Sequence, residues 1–95
     1  MRRIAETDVT FNDAAVFPEL RFSLGVEMES GRFYLSIPVG NGRVDYEEYY
    51  EIDRAHFERY RADAGAAIEF AERCRQRQED ARLLIQPGTS RGSAV

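Results

Sequence analysis

The chain has 95 residues, 43% of them hydrophobic, and 17 acids against 13 arginines give a net charge of −4. That length bounds a single domain, and the acidic balance argues against nucleic acid as a partner, because phosphate binding draws on basic surface. The single Cys74 excludes an internal disulfide, and no Cys/His spacing suited to zinc occurs, so neither a cofactor nor a metal is expected and the compartment reads as reducing.

At the amino end, Arg2 and Arg3 are followed by Ile4-Ala5-Glu6-Thr7-Asp8, which lacks the apolar run of a signal peptide. No stretch of the chain has the eighteen consecutive apolar residues of a membrane span. The expectation is a cytoplasmic protein without membrane association. Ala5, Thr7, Val9 and Phe11 alternate weakly and predict a first strand, after which Asn12 to Pro18 reads as a loop.

Leu20, Phe22, Leu24, Val26 and Met28 alternate with polar or small residues, the period of two of a half-buried strand. Phe33, Leu35, Ile37 and Val39 repeat the pattern after Ser30-Gly31, and Val44, Tyr46, Tyr50 and Ile52 follow the Gly40-Asn41-Gly42-Arg43 turn. Pairing Glu29 with Arg32 and Val39 with Val44 gives inward rows Met28–Phe33–Tyr50, Val26–Leu35–Glu48, Leu24–Ile37–Tyr46 and Phe22–Val39–Val44. Two residues resist this register. Glu48 points inward, which predicts a place at the sheet margin and an arginine partner from the second half of the chain. Pro38 removes a donor from a strand with two neighbours, which predicts a bulge there.

The period changes near Asp53, a suitable N-cap. Phe57, Tyr60, Ala64, Ala67, Ile68, Ala71 and Cys74 recur at helical spacing, with a break expected at Asp63-Ala64-Gly65. The arginines at 73, 75 and 77 suit a helix C-terminus. A short apolar piece, Leu83-Leu84-Ile85, is stopped by Pro87-Gly88. The fold class is therefore α+β: an antiparallel β-meander of three to four strands with one face covered by one or two C-terminal helices. Residues 1–88 form the domain and 89–95 a flexible tail.

Ten of the seventeen acids and five of the thirteen arginines precede Asp53. The densest stretch is Val44-Asp-Tyr-Glu-Glu-Tyr-Tyr-Glu-Ile-Asp53, with five acids, three tyrosines and no base. In the register above, the outward rows collect Glu27, Glu29, Tyr34, Asp45, Glu47, Tyr49 and Glu51, which are the candidate partner-binding residues. Carboxylates steer encounter with a basic protein and tyrosines supply contact area, so this face suits docking. A solvated strand face protected by charge explains the same residues and stays open at this point.

Catalytic readings find less support. Glu47 and Glu48 point to opposite faces of a strand, and neither they nor the Glu48/Glu51 pair have a nucleophile, metal or oxyanion group beside them. His56 has no serine or cysteine at a telling spacing, and Cys74 lies on the apolar stripe. The chain is not expected to be an enzyme.

The segment Gly31-Arg-Phe-Tyr-Leu-Ser-Ile-Pro-Val39, continuing through Val44 to Ile52, resembles small acidic immunity proteins of bacterial contact-dependent growth inhibition and other polymorphic toxin systems. The resemblance covers about a quarter of the chain and implies a cytoplasmic antidote that binds the nuclease domain of a cognate toxin, often a basic one. The alternative is a small self-associating structural or adaptor domain without a toxin partner, in which a strand edge or the tyrosine face forms a homodimer.

Overall fold

The computed structural model describes residues 10–95. Its elements run β1 (Phe11–Phe17), β2 (Phe22–Glu27), β3 (Arg32–Gly40), β4 (Asp45–Ile52), α1 (Arg54–Ala62), α2 (Ile68–Arg75) and β5 (Ser93–Ala94), with 3-10 turns at Ala64–Ala67 and Asp80–Arg82. The sheet is an antiparallel meander in the order β1-β2-β3-β4, with β5 added alongside β3. The helices follow the four meander strands, so the α+β meander expected from the change of period is the fold that forms.

The alternation sets the faces as expected. Phe22, Leu24, Leu35, Ile37, Val39, Tyr50 and Ile52 line the inner face and are buried with Phe57, Tyr60, Phe70, Ala71 and Cys74. Full burial of a Leu or Ile contributes about 1.5–3 kcal/mol, so this layer is the main source of stability.

Both hairpins nevertheless pair two residues away from the expected register. Glu27 lies opposite Arg32, and Val39 lies opposite Tyr46. Each loop has four residues, because a side chain closes it before the strand ends. The Glu27 carboxylate accepts from the backbone N–H of Glu29 and Ser30 and from the Ser30 hydroxyl, and Gly31 takes a positive φ of 74°. At the second loop, Asn41 Oδ1 accepts from the N–H of Arg43 and Val44 while Gly42 takes φ 87°. A shift of two preserves the faces but releases Met28 and Val44, both expected inward, into solvent.

No bulge forms at Pro38, and the β3–β4 register runs unbroken from Phe33 to Gly40. The Pro38 carbonyl accepts from Val95 N–H. In an antiparallel ladder a residue's N–H and C=O face the same neighbour, so the missing donor of Pro38 faces the carboxyl-terminal segment and the β3–β4 ladder loses no hydrogen bond. The irregularity lies in β1 instead, between Asp13 and Ala15. The expected loop from Asn12 to Pro18 is thus mostly strand, while Ala5, Thr7 and Val9 lie outside the described residues.

Asp53 caps α1, accepting from His56 N–H at 2.8 Å. The expected break occurs, since Asp63 ends α1 and its carboxylate accepts from Gly65 N–H at 3.1 Å to start the 3-10 turn. That turn resets the helical phase, which buries Ala67, Phe70, Ala71 and Cys74 and leaves Ile68 exposed, against the single stripe read from the sequence.

Residues 89–95, expected as a flexible tail, are docked. Ser93–Ala94 pairs with Val39 and Gly40, Gly92 N–H donates to the Tyr46 hydroxyl at 2.7 Å, and Arg77 holds the Gly92 carbonyl at 3.0 Å. Among the described residues no helix is long and apolar enough to cross a membrane.

Candidate functional site

The outer face of the sheet, away from the helices, carries its own aromatic cluster. Phe11 stacks on Tyr49 with centroids 3.6 Å apart and planes within 6°, and Tyr34 meets Phe11 and Tyr49 edge-on at 5.4 and 5.0 Å. Gly25 makes this possible: a Cβ there would overlap the Asn12 carbonyl and the Tyr34 ring. Strand β1 can therefore lie close over β2 with the Tyr34 ring crossing the glycine. The Tyr34 hydroxyl donates to Asp13 at 2.5 Å.

The β1 irregularity explains why Phe11 and Asp13 belong to this face. Before it, Phe11 and Asp13 pair with Glu27 and Gly25; after it, Ala15 and Phe17 pair with the inward residues Leu24 and Phe22. One extra residue at a bulge exchanges the faces, so residues of one parity in sequence serve opposite sides of the sheet.

The structure treats the seven candidate residues differently. Tyr49 is half-buried, with Glu47 exposed beside it in sequence order on the same face, and Asp45 is exposed at the start of β4. Tyr34 is fully buried and packs edge-on against Tyr49, so it lies beneath the exposed surface rather than on it. Glu27 is only 4% exposed and serves the hairpin turn, which corrects its assignment to the docking face. Burial alone would raise its pKa, but hydrogen bonds from the N–H of Glu29 and Thr10 and from Ser30 outweigh that and hold it at about 2. Glu29 is exposed in the same turn, away from Tyr49. Glu51 lies 3.7 Å from Arg32, which neutralises part of its charge.

Asp13, Asp45 and Glu47 have no arginine within ion-pair distance among the described residues. Glu47 is raised above the ordinary carboxylate range by partial desolvation, with the Asp13 charge acting in the same direction. The buried Ser36 hydroxyl makes no full hydrogen bond, yet its nearness to Glu47 offsets part of the rise. Desolvation followed by the charges of Glu47 and Asp13 pushes the Tyr49 phenol up to about 12, so it remains a neutral donor at physiological pH. The face thus combines carboxylates that no described arginine pairs with and a packed aromatic platform.

A cleft of about 490 Å³ adjoins this face, between β4 and residues 85–91. Val44, Ile85 and Pro87 give it apolar walls, and Phe11 and Tyr49 reach it from the outer face. Arg91 also lines it, donating to Glu48 at 2.8 and 3.1 Å and to Asp80 at 2.7 and 2.9 Å. The Tyr50 hydroxyl completes the group, donating to Glu48 at 2.9 Å. Glu48 is therefore the inward acid with an arginine from the second half of the chain that its place in the alternation demands. Its partner comes from the carboxyl-terminal segment rather than from a helix.

Phe11, Asp13 and the cleft walls Val44, Ile85 and Pro87 were not among the candidate partner-binding residues. Asn12-Asp13 reads as turn chemistry, and residues 85–91 carry no period. The other titratable candidates stand apart from the cleft. His56 Nδ1 lies 2.7 Å from the capping Asp53 at the start of α1, and Cys74 is buried in the core, where desolvation pushes its thiol up to about 12. Glu47 and Glu48 lie on opposite faces, as do Glu48 and Glu51. Among the described residues, no group of three or more His, Cys, Asp or Glu side chains is arranged to hold a metal ion. Comparison with family models, with curated proteins and with solved structures finds no match to this chain.

Proposed function

We propose that this chain is a binding domain that neutralises a basic protein, in the manner of an immunity protein acting on a nuclease-type toxin domain, through the outer face of β4. The observation that carries the reading is that Asp13 and Glu47 act on a Tyr49 ring already packed against Phe11 and Tyr34, with Asp45 farther along the same strand face, and that none of the three acids has an arginine partner among the described residues. Uncompensated acids on one face raise the rate of encounter with a basic surface, and a pre-ordered aromatic loses little entropy on contact. A face serving only solubility has no need of a packed cluster of three rings among its charges.

The resemblance of residues 31–39 and 44–52 to polymorphic-toxin immunity proteins supports the same reading, and it names the class of partner. The test is protection: the product of the adjacent gene is expressed in a bacterial host with and without this chain. The expected result is growth arrest relieved by the chain and by a folded variant altered on the helical side. Relief lost in the Asp45→Asn/Glu47→Gln double variant would support the outer face. Failure of the wild-type chain to protect or to bind would overturn the reading.

A further inference from the structure

Among the described residues strand β4 is an edge of the sheet, and its outward backbone groups can be identified residue by residue. The Tyr49 carbonyl accepts from Leu84 N–H at 2.9 Å, so Tyr49 faces away from β3. Antiparallel geometry gives Asp45, Glu47 and Glu51 the same direction. The pairing of Pro38 with Glu47 agrees, because the Pro38 carbonyl is engaged by Val95 on the opposite side of β3. Leu83 and Leu84 cover the edge beside Tyr50 and Tyr49, and Arg82 donates to the Glu51 carbonyl at 3.3 Å. Beyond that point the covering chain diverges, and the outward N–H and C=O of Asp45 and Glu47 have no protein partner among the described residues. The cleft beside residues 85–91 opens alongside them.

We infer that this uncovered edge at Asp45–Glu47 takes an extended basic segment of the partner as an added strand, seated in the cleft against Val44, Ile85 and Pro87. The inference rests on the outer face being the docking surface and specifies how the partner engages it. A strand added here satisfies the open donors and acceptors of the edge. Its side chains alternate, so basic residues fall beside Glu47 and Asp13 on the outer side while small apolar residues meet Ile85 and Pro87. The cleft volume lies within the roughly 300–1,000 Å³ of ligand sites. A second copy of this chain fits poorly, because antiparallel pairing of two β4 edges sets Asp45 and Glu47 against the same acids.

The experiment uses the full chain, isotopically labelled, and four blocked octapeptides followed by NMR. One alternates arginine with valine, two are this peptide N-methylated on one or the other alternate set of amides, and one replaces arginine with glutamate. The arginine–valine peptide is expected to shift the amides of Asp45 and Glu47 and to slow their hydrogen exchange. Only one N-methylated analogue should lose affinity, by about tenfold or more, since an added strand uses the amides of one side alone. The glutamate peptide should not bind, and Glu47→Gln should weaken the arginine–valine peptide at least about threefold at low salt.

Equal binding of both N-methylated analogues, with shifts confined to Tyr49 and its neighbours, would overturn strand addition while leaving the acidic face as a docking surface. Loss of binding by all peptides would also overturn it. Whether the broader reading then fails is decided separately, by protection against the adjacent gene's product. Slow exchange at Asp45 and Glu47 already present in the free monomer would mean that the chain's own residues 1–9 or another of its segments fill the edge. Protection that grows with protein concentration would mean that a second copy does. Either outcome would overturn the inference.

Discussion

Glu47 and Glu48 are consecutive acids on one strand, yet their surroundings have nothing in common. Glu48 turns inward, is 7% exposed, and is held by Arg91 and the Tyr50 hydroxyl in a group that ties residues 80 and 91 to the sheet. Glu47 turns outward, with no arginine in ion-pair distance among the described residues and a second acid, Asp13, acting on it. The inner acid is matched within the chain, whereas the outer one has no basic partner among the described residues. The same contrast extends over the whole sheet: one face is closed by helices and a docked carboxyl terminus, and the other supports rings that nothing in the described residues covers completely.

The most damaging way to disturb the inner side is to open its core. Leu24→Ala is expected to cost about 2–5 kcal/mol in urea unfolding, because Leu24 is fully buried and its removal leaves a cavity. Ser36→Ala, opposite Ser23 on the other face, should change stability by less than about 0.5 kcal/mol, since its hydroxyl makes no full hydrogen bond. Equal costs would mean that the two faces are not distinct.

Arg91→Ala should come next, at about 3 kcal/mol, because it strands Glu48 inside the fold. A double-mutant cycle with Glu48→Gln should recover part of that loss. An effect no larger than that of an exposed arginine would erase the difference between the two acids of β4.

Glu27 provides a pH handle on the hairpin. Its folded pKa of about 2 lies below the ordinary 4.5, so the carboxylate form stabilises the fold. That contribution is fully present above about pH 4.5 and is lost as the pH falls through about 2. Allowing for screening by water at the turn, it amounts to about 1–2 kcal/mol. Glu27→Gln should therefore flatten the acid limb of the stability curve between those values, in denaturation followed by circular dichroism. An unchanged acid limb would show that the turn does not depend on the charge. The smallest stability effect, within about 0.5 kcal/mol, is expected for Glu47→Gln, which sits on the open face.

Much of this arrangement is legible in the sequence. The alternation at 22–28, 33–39 and 46–52 defines the faces, the inward parity of Glu48 demands a partner, and Asp53 and Asp63 punctuate the helices. What alternation does not carry is register, because a displacement by two leaves every face unchanged; the side-chain bonds of Glu27 and Asn41 decide it. The aromatic cluster was hidden for a related reason. The β1 bulge exchanges faces after Asp13, so Phe11 and Asp13 appear to belong with Ala15 and Phe17 but lie on the other side. The docked tail has no periodic signal at all, and only the unmet charge of Glu48 points toward it.

The claim that the outer face is a surface for a basic partner is tested most directly by surface plasmon resonance against the purified product of the adjacent gene at two salt concentrations. Wild type, Asp45→Asn/Glu47→Gln and Tyr49→Ala are compared, each verified as folded by circular dichroism. The double acid variant is expected to associate more slowly and with a flatter salt dependence. Tyr49→Ala is expected to dissociate faster by about thirtyfold, corresponding to about 2 kcal/mol. Wild-type kinetics in both folded variants would contradict the claim and would mean that these acids and this ring serve only the chain that carries them.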